Sequence, residues 1–163
     1  LKLLYQTLIE PYLSYCCVIW ASPCKNTALE TIHLLQNRYV RLISYAMFGA
    51  HSKPLFYKLD ILNIYDLCRY QILLFVFKSI NCLLPSRYTN YFTFTKEMYR
   101  YQTRSSKDRK LLTATAQRSA RINTLASRGP KCWNSLPTTI RSSLSQRTFK
   151  TSVKAHFLSQ YID

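Results

Sequence analysis

The sequence predicts a mainly α fold. A helical bundle over residues 1–84 is followed by a loop-rich basic extension over 85–163, which ends in an amphipathic helix. Three observations predict it. Apolar side chains recur every three or four positions along several stretches. Glycine is confined to Gly49 and Gly129, which suits helices and removes any Gly-rich phosphate loop. The charge is lopsided: residues 1–95 hold 9 Lys/Arg against 4 Asp/Glu, whereas residues 96–163 hold 14 against 3.

In chain order, Leu1, Leu4, Leu8, Tyr12, Tyr15 and Ile19 fall at helical spacing, and Pro11 forces a kink or restart near Glu10. Pro23 closes this segment. Thr27 and Glu30 stand at capping-box spacing before a second helix. One side of that helix carries Ile32, Leu35, Tyr39, Leu42 and Ala46, its other side Asn37, Arg38 and Arg41, and Gly49 is placed as its terminator. Ser52 before Pro54 opens a short helix through Leu59. Asn63 and Asp66 resemble a cap for a third long helix running through Leu67, Leu74 and Lys78 toward Pro85. The run Ile72 to Phe77 alone also fits a strand, but its flanks continue a helical period. From Ser86 to Lys110 the period is lost, apart from a brief alternation at Tyr91 to Thr95 that suggests a short strand. Ala114 to Leu125 fits helix or extended chain, and Gly129-Pro130 reads as a turn. Phe149, Val153, Phe157 and Tyr161 recur every four residues beside Arg147, Lys150 and Lys154, which defines the terminal amphipathic helix.

At 163 residues, with 48% apolar and 14% aromatic side chains, the chain can fill a core of its own. Its net charge of +16 repels itself unless something anionic is near, so a polyanionic partner is expected. Apolar runs such as Ile72 to Phe77 are far below the roughly 20 residues that span a bilayer, so no membrane role is expected. Six cysteines without a signal peptide read as reduced thiols of an intracellular protein, in nucleus or cytoplasm. Leu1 in place of Met suggests a piece of a longer reading frame.

Phosphodiester chemistry needs clustered carboxylates to hold two divalent ions, but Glu10, Glu30, Asp60, Asp66, Glu97, Asp108 and Asp163 are dispersed. No G-x-S-x-G elbow accompanies His33, His51 and His156, and Cys16, Cys17, Cys24 and His33 lack the C-x-x-C pair of a structural zinc site. The expectation is therefore no catalytic residue, no metal and no cofactor. The stretch Tyr99-Arg100-Tyr101-Gln102-Thr103-Arg104, followed by Lys107, Arg109 and Lys110, interleaves rings that stack on bases with guanidinium groups that fork onto phosphate. It fits a single-strand nucleic-acid contact, a solvated loop being the alternative. Arg118, Arg121, Arg128 and Lys131 extend the charge, and Arg38 and Arg41 are secondary candidates on the bundle.

A succession of landmarks runs through nearly the whole chain. It begins with Leu4-Tyr5, Leu8-Ile9, Pro11, Leu13, Tyr15-Cys16 and Trp20, then Leu35-Gln36-Asn37-Arg38 and Arg41-Leu42-Ile43. Pro54-Leu55-Phe56, Leu59, Ile61-Leu62, Ile64 and Asp66-Leu67 follow, then Leu84-Pro85 and Tyr101-Gln102-Thr103-Arg104. Gly129, Trp133-Asn134-Ser135-Leu136-Pro137 and Phe149-Lys150 complete it. In this order they resemble the C-terminal portion of reverse transcriptases from non-LTR retrotransposons, the LINE elements of the Jockey and chicken-repeat type. The resemblance implies a thumb-like bundle over 1–84 that tracks a primer–template duplex. It implies a basic extension over 85–163 that holds RNA or DNA, and a partner in the palm and fingers of the parent polyprotein. The palm aspartates are not in this chain, so polymerase activity is implied for the parent and not for this portion. A non-enzymatic packing module, docking through Trp20, Trp133 and the terminal helix, and an inert relic of a decayed element are the alternatives.

Overall fold

A computed structural model describes residues 1–21, 26–89, 91–98, 108–113 and 119–162, and these are mainly helical. The expected mainly α class is the observed one. Contacts group the chain into two compact units, one of Leu1–Tyr70 with Val153–Asp163 and one of Gln71–Ser152. These limits differ from the expected division at 84/85, because they fall inside two helices that sequence periodicity treats as indivisible.

In the first unit, α1 (Lys2–Leu4) passes into a π-helical stretch, Tyr5–Ile9, and then into α2 (Glu10–Ser14). Pro11 explains the sequence of forms. It has no N–H, and its ring would strike the carbonyl one turn back, so the preceding turn widens and Glu10 N–H bonds Tyr5 C=O. Cys16 then takes a left-handed conformation (φ 49°) before α3 (Cys17–Trp20). The stripe of Leu4, Leu8, Tyr12, Tyr15 and Ile19 is exposed, and Tyr5 and Cys17 are the buried positions. Helical spacing reveals an apolar face; it does not say what covers it.

The second long helix, α4 (Asn26–Ile43), already contains Thr27, so Thr27 lies past the cap position, and its C=O accepts from Thr31 Oγ1. The division of its two sides differs from the sequence pattern: Asn37 is buried although Arg38, on the same side, is exposed and Arg41 is half-buried. Gln36, Asn37 and Val40 are enclosed, while Leu34, Leu35, Tyr39 and Leu42 are exposed. Gln36 makes this possible because its amide is satisfied: Nε2 donates to Tyr5 Oη (2.7 Å) and Leu62 C=O (2.9 Å), and Oε1 accepts from Ile64 N–H (2.8 Å). The helix ends at Ile43, well before Gly49. Tyr45 takes the left-handed position (φ 52°) and Ala46 N–H returns to Arg41 C=O (3.0 Å). Helix α5 (Ser52–Leu59) has the expected extent and stops in the same way, with Asp60 at φ 57° and Ile61 N–H on Phe56 C=O (3.0 Å).

Helix α6 (Ile64–Ile80) starts on the expected cap. Asn63 Oδ1 accepts Asp66 N–H (2.9 Å) while Asn63 Nδ2 donates to Asp66 Oδ2 (2.8 Å). It ends at Ile80 rather than near Pro85, closed by Cys82 at φ 56° and by Leu83 N–H on Lys78 C=O (2.8 Å).

The second unit is built on the side chains of Ile72, Leu73, Val76 and Phe77, all buried. After a 3-10 turn (Ser86–Tyr88) and α7 (Thr95–Met98), the described chain resumes and reaches α8 (Ser119–Ile122), α9 (Leu125–Ser135), α10 (Thr138–Arg141) and α11 (Gln146–Ser159). The expected strand at Tyr91 to Thr95 is not formed; only an isolated antiparallel bridge joins Phe94 to Leu111. Gly129-Pro130 is not a turn either but lies inside α9. A Cβ on Gly129 would stand 2.8 Å from the Phe92 ring and 3.1 Å from Val76, so this glycine serves close packing. Phe77 stacks on Phe149 (4.4 Å) and Phe149 on Trp133 (5.6 Å), which makes Trp133, 1% exposed, the centre of this core. Trp133 therefore cannot serve as a docking surface. The four-residue spacing at the end is observed as expected, with Phe149, Val153, Phe157 and Tyr161 all buried.

Candidate nucleic-acid interface

The basic stretch is held at both of its described ends. Around the Phe94–Leu111 bridge, Thr95 N–H bonds Lys110 C=O (3.0 Å) and Leu112 N–H bonds Thr93 C=O (2.9 Å). The chain thus leaves and returns at one place. Helix α9 clamps the return: Asn134 Nδ2 donates to Leu111 C=O (2.9 Å), Asn134 Oδ1 accepts Leu111 N–H (2.9 Å), and Trp133 Nε1 donates to Arg109 C=O (3.0 Å). Trp133 and Asn134, two residues of the Trp-Asn-Ser-Leu-Pro landmark, are therefore the anchors of the segment that closes the basic stretch.

Of the predicted contact residues, Tyr99, Arg100, Tyr101, Thr103, Arg104 and Lys107 lie outside the described residues. Arg109 is exposed in a left-handed conformation (φ 51°), and Lys110 lies 3.7 Å from Asp108 in a partly exposed ion pair. In the other unit Arg38 is exposed on α4, whereas Arg41 is half-buried and its Nε donates to Ala50 C=O (2.9 Å), tying down the chain that follows the helix.

The contact-defined units sort the charge more sharply than the sequence halves do. Gln71–Ser152 holds 15 of the 23 Lys/Arg and 2 of the 7 Asp/Glu, net +13, against 8 and 5, net +3, in the other unit. Sequence reasoning missed one member of the basic set. Arg141 is 4% exposed, its Nη1 donates to Asp108 C=O (2.6 Å), and its Nε finds no partner among the described residues. Among the described residues this buried guanidinium is held by a carbonyl and pairs with no carboxylate, an arrangement that leaves positive charge weakly compensated. No period or motif signals it, since burial of a lone arginine depends on tertiary packing.

The first unit presents a different kind of surface. Leu4, Leu8 and Ile9 face Tyr39, Leu42 and Ile43 across an apolar groove of about 180 Å3. Its titrating groups are structural. Burial pushes Tyr5 up to about 12, partly opposed by its bond from Gln36, and burial together with Asp66 pushes Tyr161 far above the ordinary phenol. Burial raises Glu10, with Lys154 opposing, and lowers His33, whose ring lies against Phe56 and Tyr65. Among the described residues, no three His, Cys, Asp or Glu side chains gather into a group that could hold a metal ion. No helix of the described residues is long and apolar enough to cross a membrane. No family model matches the chain, and neither does a curated protein or a solved structure.

Proposed function

We propose that this chain is a nucleic-acid-binding portion of a LINE-type RNA-directed DNA polymerase. In this reading it contacts primer–template or element RNA in nucleus or cytoplasm and leaves the chemistry to a catalytic palm elsewhere in the parent polyprotein. The observation that carries the reading is the net +13 of Gln71–Ser152. Its support is the anchoring of the stretch that holds Tyr99, Arg100, Tyr101, Thr103, Arg104 and Lys107, with Arg109 and Lys110 at its return. Rings and guanidinium groups on a tethered segment suit single strands, where stacking tolerates any base and phosphate contacts supply most of the affinity. Arg38 and Arg41 add weaker contacts from the bundle.

The test replaces Arg100, Arg104, Lys107 and Lys110 together by Gln and follows binding of a labelled single strand as salt is raised. Loss of four phosphate contacts makes the log–log salt slope shallower by about 2.8, at roughly 0.7 per contact. An unchanged slope contradicts the assignment of these side chains.

The exposed apolar groove favours a second reading, in which the first unit docks on the palm and fingers of the same polyprotein. Co-expression with a palm fragment separates the two. Tight association without RNA binding supports docking, and RNA binding without association supports grip.

A further inference from the structure

A polar depression of about 330 Å3 lies in the second unit, lined by Asp108, Arg109, Thr138, Thr139 and Ser142. We infer that it is a phosphate-binding subsite, with Arg109 and the hydroxyls of Thr138 and Thr139 as its donors, for one backbone phosphodiester of a bound nucleic acid. The inference rests on the nucleic-acid reading above and adds a defined place and new residues to it.

Three observations carry it. The first is the conformation of Arg109, a non-glycine residue held at φ 51°. Left-handed backbone is costly for a residue with a Cβ, and such outliers persist where the surroundings enforce them. Here two buried donors enforce it, Trp133 Nε1 on Arg109 C=O and Arg141 Nη1 on Asp108 C=O. The backbone that aims the Arg109 side chain is thereby fixed before any ligand arrives, which removes an ordering cost from binding.

The second observation is the set of donors. Ser142 Oγ is already engaged with Thr139 C=O (2.9 Å), but the Thr138 and Thr139 hydroxyls and the Arg109 guanidinium make no hydrogen bond or ion pair among the described residues. All three belong to exposed residues on the wall of one depression. A guanidinium beside two hydroxyls is a donor set that matches a phosphate's oxygens.

The third is charge. Asp108 also lines the depression, which by itself would repel an anion. Its carboxylate lies 3.7 Å from Lys110, and its carbonyl is held by the buried Arg141, which pairs with no carboxylate among the described residues. Counting Arg109, Lys110 and Arg141 against Asp108 leaves the neighbourhood at +2.

The test uses the full chain and a fluorescein-labelled single strand of about 20 nucleotides, followed by anisotropy from about 50 to 200 mM salt. Arg109→Ala is expected to weaken binding about 10-fold at the lowest salt and to make the slope shallower by about 0.7, one phosphate's worth. Lys53→Ala, the same change of charge in the first unit, is expected to do neither. Thr138→Val with Thr139→Val is expected to weaken binding about 5-fold at unchanged slope, because neutral donors release no counterions. Arg109→Gly separates fold from function: relief of the left-handed strain raises the unfolding midpoint by about 2 °C while affinity falls as in the Ala variant. The subsite is overturned, with the wider reading intact, if the wild type binds with a normal slope while Arg109→Ala behaves like Lys53→Ala or the Thr pair retains full affinity. A wild type that binds no polynucleotide at about 50 mM salt overturns the subsite and the nucleic-acid reading together.

Discussion

Asp66 shows how much one side chain can organise. It closes the cap of α6 with Asn63, accepts the Tyr161 hydroxyl at 2.6 Å and lies 3.6 Å from the exposed Arg69. Asn63 N–H in turn donates to that hydroxyl (3.2 Å), so Tyr161→Phe removes a donor from the carboxylate and an acceptor from the backbone. The variant is expected to lose about 1–3 kcal/mol in chemical denaturation. The same residue sets a pH dependence. Because the folded Tyr161 and Tyr5 titrate above the ordinary phenol value, their contribution is complete below about pH 10 and declines as pH rises from there, for Tyr5 through about 12. Denaturation midpoints measured from neutral to alkaline pH should fall only above that threshold, and less steeply in Tyr161→Phe. A fall beginning near neutrality contradicts this account of the two phenols. Gly129 is the corresponding residue in the other unit. A methyl group there meets Phe92 at 2.8 Å, so Gly129→Ala should cost about 1–3 kcal/mol although alanine is the better helix former, and unchanged stability would show that the ring yields.

Among the elements, α4, α5 and α6 share one device: each is ended by a residue other than glycine in the left-handed position, Tyr45, Asp60 and Cys82. Glycine avoids the Cβ penalty at such positions but has more freedom to lose on folding, so Tyr45→Gly and Cys82→Gly should each stabilise by about 0.5–1 kcal/mol. Thermal unfolding checks this, and a destabilisation would mean that these side chains contribute contacts worth more than the strain. The same terminations explain what was legible beforehand. The start of α6 could be read because a cap is a local event, settled by Asn63 and Asp66 three residues apart. The buried face of α11 could be read because Phe149, Val153, Phe157 and Tyr161 keep a strict interval. The end of α4 could not, since Gly49 looked like the only residue suited to stop it while Tyr45 took that position. Nor could its facing, which depends on Gln36 finding partners in Tyr5, Leu62 and Ile64 far away in sequence. Gly129-Pro130 misled for the same reason: the need for a bare backbone against Phe92 is a tertiary fact.

At the scale of the whole molecule, two surfaces of different chemistry stand out, each within its own unit. The apolar groove between Leu4, Leu8, Ile9 and the Tyr39–Ile43 turn of α4 was visible in the sequence as apolar stripes at helical spacing, but their exposure is shown only by the structure. The basic surface was legible as a distal excess of charge. Its boundaries were not, because they follow contacts that cut through α6 and α11 rather than composition. The candidate interface was thus half visible: the Tyr-Arg stretch, Arg109 and Lys110 by composition, but not Arg141, Thr138 and Thr139, which only folding brings to Asp108 and Arg109. The central claim is that this excess charge meets phosphate, and the salt dependence of single-strand binding by the intact chain tests it most directly. With about five phosphate contacts the log–log slope is about −3.5, and affinity falls about 100-fold between about 50 and 200 mM salt. A flat titration, or no binding at the lowest salt, contradicts it.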